Sequence, residues 1–203
     1  KIAGRILRVA ISISLSVLIS KPQNQWVAST RLSSPSVKNV ASKLTTLPPS
    51  WFDRPTRRVA QDLLGGVLVR RWRGRLYCGL ITETEAYCGP RDLANHASRG
   101  RTARTEIMFG QPGRAYIYLI YGMYHCFNIV TEPEHYPAAV LLRGVTAYAP
   151  IPAGQSINLT TLTPLPITAA NGPGKLCRQF HLDRSLNGQP LTTASGLWVL
   201  PRQ

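Results

Sequence analysis

Short runs in which hydrophobic and polar residues alternate cover much of the chain after residue 50. Alternation with a period of two is typical of β-strands that bury one face. Gly74 and Gly122 each interrupt a pair of these runs, so each predicts the turn of a hairpin. The predicted strands are 66–72, 75–87, the two halves of 114–130, 138–148 and 196–201.

Helical spacing is confined to shorter segments. Residues 56–65 place apolar side chains at helical intervals, with Thr56 as a possible cap. Residues 172–182 predict a helix that begins near Pro173, and 89–97 predict a turn and a short helix. Because strands outnumber helices and follow one another, we predict a single α+β domain with a curved, mostly antiparallel β-sheet, flanking short helices and a protruding β-hairpin.

The first fifty residues differ from the rest. They contain seven basic and no acidic residues, and 9–20 is an apolar stretch interrupted by serines. That stretch is too short and too polar for a membrane span. We therefore treat 1–50 as a disordered, targeting-like or non-native leader and expect the domain at 51–203. Within the domain, the Pro- and Thr-rich segment 149–168 shows neither period and is predicted to be a loop.

The charge of the chain is unusual for a globular protein. Twenty-four basic residues against nine acidic ones give a net charge of +15. Residues 51–203 alone hold seventeen basic and nine acidic residues, so the excess is not confined to the leader. Such a balance favours a polyanionic partner, either nucleic acid or an anionic membrane surface.

The four cysteines and four histidines lack the spacing of metal sites. No two cysteines form C-x-x-C, and no two histidines form H-x-x-x-H. We therefore expect reduced thiols, no bound metal and no cofactor.

Two carboxylates stand close together in the second predicted strand, in the sequence "TETEAY". In a strand, Glu83, Glu85 and Tyr87 would share one face, and the two carboxylates would lie roughly 7 Å apart. Such a pair suits the acid and base of a glycoside hydrolase, or simply a solvated strand face.

Five of the eight tyrosines lie between residues 87 and 124. Tyr116 and Tyr118 would share a face of the predicted hairpin, and Tyr121 would lie at its turn. A tyrosine-rich strand is often only core or sheet surface. In a basic protein, however, aromatic rings can also stack on bases, and a ring at a tight turn can displace a nucleotide from the duplex. A displaced base needs a pocket with aromatic walls and a polar edge.

Several ordered motifs resemble one known family. They are "LLGGVLVRR", "ITETEAYCGPRDLANHAS", "GRAYIYLIYGMYHCFNIV", "AVLLRG" and "GPGKLC". In order and approximate spacing, these motifs resemble the alkyladenine (3-methyladenine, methylpurine) DNA glycosylases over roughly residues 60–182. The resemblance implies an enzyme that excises damaged purines, notably 3-methyladenine, 7-methylguanine and hypoxanthine, without cutting the strand.

The resemblance also implies a role for individual residues. Glu85 would activate the attacking water, and Arg143 would orient that water. The base pocket would be formed by Tyr87 and Tyr118, which stack on the purine, by His96 as the hydrogen-bonding edge, and by Asn128, which excludes guanine-type bases. The residues that enter the duplex would be Tyr121, Met123 and Tyr124. Phosphate contacts would come from Arg99, Arg101, Arg104, Arg114 and Lys175.

The resemblance further implies a continuation beyond residue 203, with more strands and a carbonyl that holds the water. We therefore expect the domain to be truncated at its C-terminus. The implied partner is double-stranded DNA with damaged purines, bound by a monomer and away from membranes. The implied location is inside the cell with DNA, in bacterial cytoplasm or nucleoid, or in a eukaryotic nucleus or organelle.

Three functions stay open on the sequence. The first is a monofunctional purine glycosylase of base excision repair. The second is a catalytically impaired protein that still binds damaged DNA, because the expected truncation would remove part of the catalytic site. The third is a glycoside hydrolase that uses Glu83 and Glu85.

Overall fold

One antiparallel sheet forms the framework of the domain. The computed structural model describes residues 7–10 and 45–202. Its strands are β1 (Leu7–Ala10), β2 (Val67–Trp72), β3 (Arg75–Tyr87), β4 (Ala115–Ile120), β5 (Tyr124–Val130), β6 (Ala139–Ala147), β7 (Ile151–Pro152) and β8 (Leu197–Leu200). Its α-helices are α1 (Pro49–Phe52), α2 (Thr56–Asp62) and α3 (Pro173–Gln179). Four 3₁₀ helices cover His96–Arg99, Glu106–Phe109, Ile167–Ala169 and Arg184–Leu186.

The longest strand, β3, occupies the middle of the sheet. The strand order is β4-β5-β6-β3-β2-β8, and every pairing is antiparallel. The short strands β7 and β1 pair with the two ends of β3. The sheet is curled, and only short helices accompany it. The predicted α+β class with a curved, mostly antiparallel sheet is therefore confirmed.

Both predicted hairpins are present. β2 pairs with β3 through the turn at Gly74, and β4 pairs with β5 through the turn at Gly122. Gly74 has φ of 71° and Gly122 has φ of 69°, values that glycine adopts without steric cost. In each turn the preceding residue also has a positive φ, as in the type I′ turns that match strand twist.

The main core lies between the sheet and helices α2 and α3. Helix α2 packs on β3 and β6, and α3 packs on β5 and β6. Fully buried side chains include Phe127 of β5, Leu142 of β6 and Phe180 directly after α3. This packing holds the inner strands in place from one side.

Three details of the predicted elements are wrong. Thr56 does not cap α2, because Pro55 precedes the helix and Thr56 is its first residue. The amide and hydroxyl of Thr56 both donate to Glu132 Oε1, at 2.7 and 2.9 Å, so a distant carboxylate satisfies this helix end. The helix predicted within 89–97 is a 3₁₀ turn that starts only at His96, and the predicted loop 149–168 contains β7.

The structure describes little of the predicted leader. Strand β1 is one described part, and residues 1–6 and 11–44 lie outside the described residues. At the other end of the leader, Leu47 is buried and donates its amide to the Val199 carbonyl at 2.9 Å. Helix α1 begins at Pro49, two residues before the predicted domain start. In the part of the chain that the structure describes, no helix has the length and apolar character needed to cross a bilayer.

A substitution at Gly79, in the central strand β3, can test the packing at the centre of the sheet. A Cβ at this position would lie 2.7 Å from Phe180 Cζ and 2.9 Å from Val145 Cγ2. Gly79→Ala should therefore lower the free energy of unfolding by about 1–3 kcal/mol through overpacking. Gly110→Ala is the matched control, because its Cβ would meet only the Ile107 carbonyl oxygen, at 3.4 Å. Equal stability of both variants in urea denaturation would contradict this packing.

Candidate active site

Glu85 is a buried carboxylate near the end of the central strand. Only 2% of the residue is exposed. Its Oε1 accepts a hydrogen bond from the Tyr87 hydroxyl at 3.0 Å, and its Oε2 accepts one from Arg143 Nη1 at 3.0 Å. A carboxylate taken out of water is costly unless it is paired and hydrogen-bonded. These two partners therefore hold Glu85 in one orientation.

Arg143 of β6 binds both carboxylates of the "TETEAY" sequence. Its Nε donates to Glu83 Oε1 at 3.0 Å while its Nη1 reaches Glu85. The register of β3 on β6 shifts on both sides of Glu83, as at a β-bulge. Burial lowers the pKa of Arg143, but the hydrogen bond with Glu83 and the negative charges of both carboxylates outweigh it, so the pKa is raised. The guanidinium is thus a fixed positive charge between two acids.

Tyr87 contributes a hydroxyl as well as a ring. Burial raises the pKa of its phenol, and the charge and hydrogen bond of Glu85 raise that pKa further. The phenol therefore stays protonated and acts as a donor to Glu85 Oε1.

The ring of Tyr87 lines a small pocket with the other residues that the resemblance assigned to a base. His96 and Tyr118 meet edge to face, with ring centroids 4.5 Å apart. The pocket encloses about 10 Å³, room for about one water molecule. A planar base can enter only if these rings move apart. The lining residues are Tyr87, Ala94, Asn95, His96, Met108, Tyr116, Tyr118 and Asn128.

His96 is positioned by its neighbour in sequence. Asn95 is buried, accepts the amide of Ala97 and donates to the carbonyls of Gly89 and Pro137, which anchors the start of the 3₁₀ turn. From there His96 Nδ1 lies 3.2 Å from the Tyr116 hydroxyl. Partial burial and then the nearby Arg104 lower the pKa of His96, so its imidazole is neutral at pH 7.

Asn128 of β5 also lines the pocket. It is 2% exposed, and its Nδ2 donates to the Tyr116 carbonyl at 3.1 Å across the hairpin. This bond fixes the plane of the amide beside the pocket.

The hairpin tip presents three exposed apolar side chains. Tyr121 is 83% exposed and Met123 is 68% exposed, and Tyr124 is also exposed. Tyr121 has φ of 51°, a left-handed conformation that is uncommon for a bulky residue. The amide of Met123 closes the turn on the Ile120 carbonyl at 3.1 Å. The turn therefore holds the ring of Tyr121 outside the protein.

The basic residues predicted to meet phosphates lie in different environments. Arg101 pairs with Glu106 at 3.0 Å, and Arg114 donates to the Gly188 carbonyl at 2.8 Å. The guanidinium of Arg104 lies 4.8 Å from the ring centroid of Tyr118, one of the aromatic residues that line the pocket. Lys175 donates to Asn171 at 3.1 Å on the surface, and Arg99 is exposed at the end of its 3₁₀ turn.

Two further residues, Glu83 and Tyr116, belong to this site although the resemblance assigns neither of them a role. The carboxylate of Glu83 binds Arg143 Nε at 3.0 Å and so supports the residue that holds Glu85. The shared strand face of Glu83 and Glu85 was the signal. Tyr116 was noted only for sharing a face with Tyr118, yet its hydroxyl contacts His96.

The electrostatic effect of Arg104 on His96 can be measured directly. In NMR titration the His96 imidazole should have a midpoint below 6.5, the ordinary value for histidine. Arg104→Gln should raise that midpoint because it removes a positive charge. Arg99→Gln, at an exposed position outside the pocket lining, should leave it where it was. A midpoint that does not change in Arg104→Gln would exclude this interaction.

Comparison with known proteins identifies the family of this chain. The model of the methylpurine-DNA glycosylase family matches residues 50–203. A protein of Methanocella arvoryzae is 49% identical over 159 residues, which is 77% of this chain and 77% of that protein. A protein of Sodalis glossinidius is 46% identical over 155 residues, 76% of this chain and 80% of that protein. Both bear 3-methyladenine DNA glycosylase as a provisional name.

The matched region contains the whole of the site described above, from Glu83 to Arg143. Family members are enzymes that hydrolyse N-glycosidic bonds in DNA repair. The chain therefore belongs to the methylpurine-DNA glycosylase family and is a DNA glycosylase for alkylated purines.

Proposed function

We propose that the enzyme rotates a damaged purine out of duplex DNA and releases it by water attack, with Glu85 as the general base. The substrates would be 3-methyladenine, 7-methylguanine and hypoxanthine. One observation carries the proposal: a buried carboxylate, held by Arg143 and Tyr87, adjoins an aromatic pocket on the hairpin whose tip is exposed.

The chemistry of the step suits these residues. The oxygen of water attacks C1′ of the sugar while the N-glycosidic bond breaks and its electron pair leaves with the base. An alkylated purine such as 7-methylguanine is cationic in the nucleotide and departs neutral, whereas hypoxanthine is neutral in the nucleotide and takes up a proton from solvent as it departs. The sugar becomes oxocarbenium-like in the transition state, so the negative charge of Glu85 stabilises it. Glu85 takes the proton of the water, and Arg143 keeps the carboxylate aimed.

Selection of the base would occur between the pocket walls. Once the rings separate, Tyr87 and Tyr118 can stack on the two faces of a purine. Neutral His96 offers a hydrogen bond at the edge, and buried Asn128 would crowd the exocyclic amine of guanine. A cationic purine gains additionally from aromatic walls through cation–π attraction.

The hairpin tip would open the duplex. Tyr121, flanked by Met123 and Tyr124, would occupy the place that the base leaves, as apolar wedges do in the minor groove. The left-handed φ of Tyr121 supports a functional reason for keeping this strained turn.

Glu85→Gln is the direct test of the base. In single-turnover assays on a hypoxanthine-containing duplex, this isosteric change should slow base release by about 10²- to 10⁴-fold, the usual contribution of a general base. Duplex binding, measured by fluorescence anisotropy, should persist because the DNA-contacting surface is unchanged. Release at the original rate would exclude Glu85 as the base. Tight binding without release by the unmodified chain would instead favour the impaired damaged-DNA-binding protein.

Glu83 should act through Arg143, as a positioning residue. Glu83→Gln removes the charge that anchors the Arg143 Nε, so the guanidinium and water lose orientation. We expect the single-turnover rate at saturating enzyme to fall about 10- to 100-fold. Duplex affinity and melting temperature should stay the same. Glu106→Gln, which breaks the surface pair with Arg101, is the matched control and should retain the full rate. A Glu83→Gln variant as fast as that control would refute the positioning role.

A further inference from the structure

A second concave surface begins at the same hairpin tip and leads away from the base pocket. This groove encloses about 380 Å³, and its lining shares no residue with the pocket. It starts at Met123 and Tyr124, follows α3 past Arg178 and ends at the β2 residue Trp72. The groove is therefore continuous with the exposed tip proposed to enter DNA.

A stack of three planar side chains borders the groove, and two of them, Trp72 and His181, line it. The rings of Trp72 and His181 lie 3.6 Å apart at an angle of 14°. The guanidinium carbon of Arg73 lies 4.5 Å from the Trp72 ring centroid. Because His181 already covers one face of the indole, the guanidinium must cover the other. The stack leaves no face of Trp72 for a base and holds Arg73 in place.

The charges around this stack are mostly positive. Arg178 lines the groove, Arg73 belongs to the stack, and Arg70 is close enough to influence both His181 and Asp183. The carboxylate of Asp183 already accepts hydrogen bonds from the amide and hydroxyl of Ser185, at 2.9 and 2.5 Å. Arg70 Nη1 donates to the Gly196 carbonyl at 3.1 Å, whereas Arg73 and Arg178 are exposed. Two exposed cations thus lie near one carboxylate that is engaged within the protein.

We propose that this groove binds the phosphate backbone of the DNA arm on one side of the damaged nucleotide. The proposal rests on the proposed role of the hairpin, because that role places the duplex at Met123 and Tyr124. Arginine suits phosphate, since its planar fork forms paired charge-assisted hydrogen bonds. A guanidinium already fixed by stacking loses less conformational entropy on binding than a free one. Contacts of this kind position the duplex and read no sequence.

The test is the salt dependence of binding to a hypoxanthine-containing duplex, followed by fluorescence anisotropy. All variants carry Glu85→Gln so that the substrate is not consumed. Adding Arg73→Gln and Arg178→Gln should make the negative slope of log association constant against log salt shallower by about 2. This value corresponds to near 0.9 for each of two lost phosphate contacts. The dissociation constant near 0.1 M salt should rise roughly 10-fold. Arg73→Lys with Arg178→Lys should restore most of the slope.

Two controls separate the groove from general charge effects. Arg57→Gln with Arg58→Gln removes two exposed arginines of α2, an element that does not line the groove, and should retain the slope. Shortening the duplex arm that lies in the groove should weaken binding of the Glu85→Gln chain. It should not weaken binding of the variant that also carries Arg73→Gln and Arg178→Gln. Circular dichroism melting establishes that each variant is folded.

The outcomes distinguish this inference from the proposed function. An unchanged slope in the folded glutamine pair, or equal losses in the control pair, overturns the groove assignment even if base release is normal. Failure of the unmodified chain to release a base overturns the proposed catalysis. In that case the salt dependence of duplex binding still tests whether the groove contacts phosphates.

Discussion

The buried charge of Glu85 is the constraint around which this site is built. A carboxylate that is 2% exposed needs compensation from neighbouring groups. Arg143 arrives from β6, the neighbouring strand, and Tyr87 from the same face of β3, so the compensation depends on strand register. A shift of one residue would turn these side chains to the opposite face of the sheet. Helix α2 packs on both β3 and β6, and α3 packs on β6 and β5, so the two helices help to hold that register in place.

The same hairpin serves the site in two ways. Its inner positions supply Tyr116, Tyr118 and Asn128 to the pocket, and its tip carries Tyr121 into solvent. Alternation along β4 and β5 separates these tasks, while the turn at Gly122 sets the position of the tip. In the proposed mechanism, one two-stranded element would therefore supply both the side chain that enters the duplex and part of the pocket that receives the base.

Much of this architecture could be predicted from the sequence because its signals are local. The hairpins at Gly74 and Gly122 follow from alternation and turn residues, and the strand bounds agree closely with the prediction. The errors have a common origin in distant contacts. Thr56 looks like a cap, but Glu132, 76 residues away, binds it instead. The segment 149–168 contains β7 only because β3 offers an edge for pairing.

For function, the sequence by itself determined the family, the shared face of Glu83, Glu85 and Tyr87, and the positive charge that favours a polyanionic partner. These properties depend on residue identity and on the period of the strand. Only the tertiary structure decided that Arg143 bridges the two carboxylates and that Arg104 lies over Tyr118. It alone brought Trp72 onto His181, more than a hundred residues apart, to form the wall of a second groove. Such contacts join strands and loops that are distant in the chain, so no local pattern encodes them.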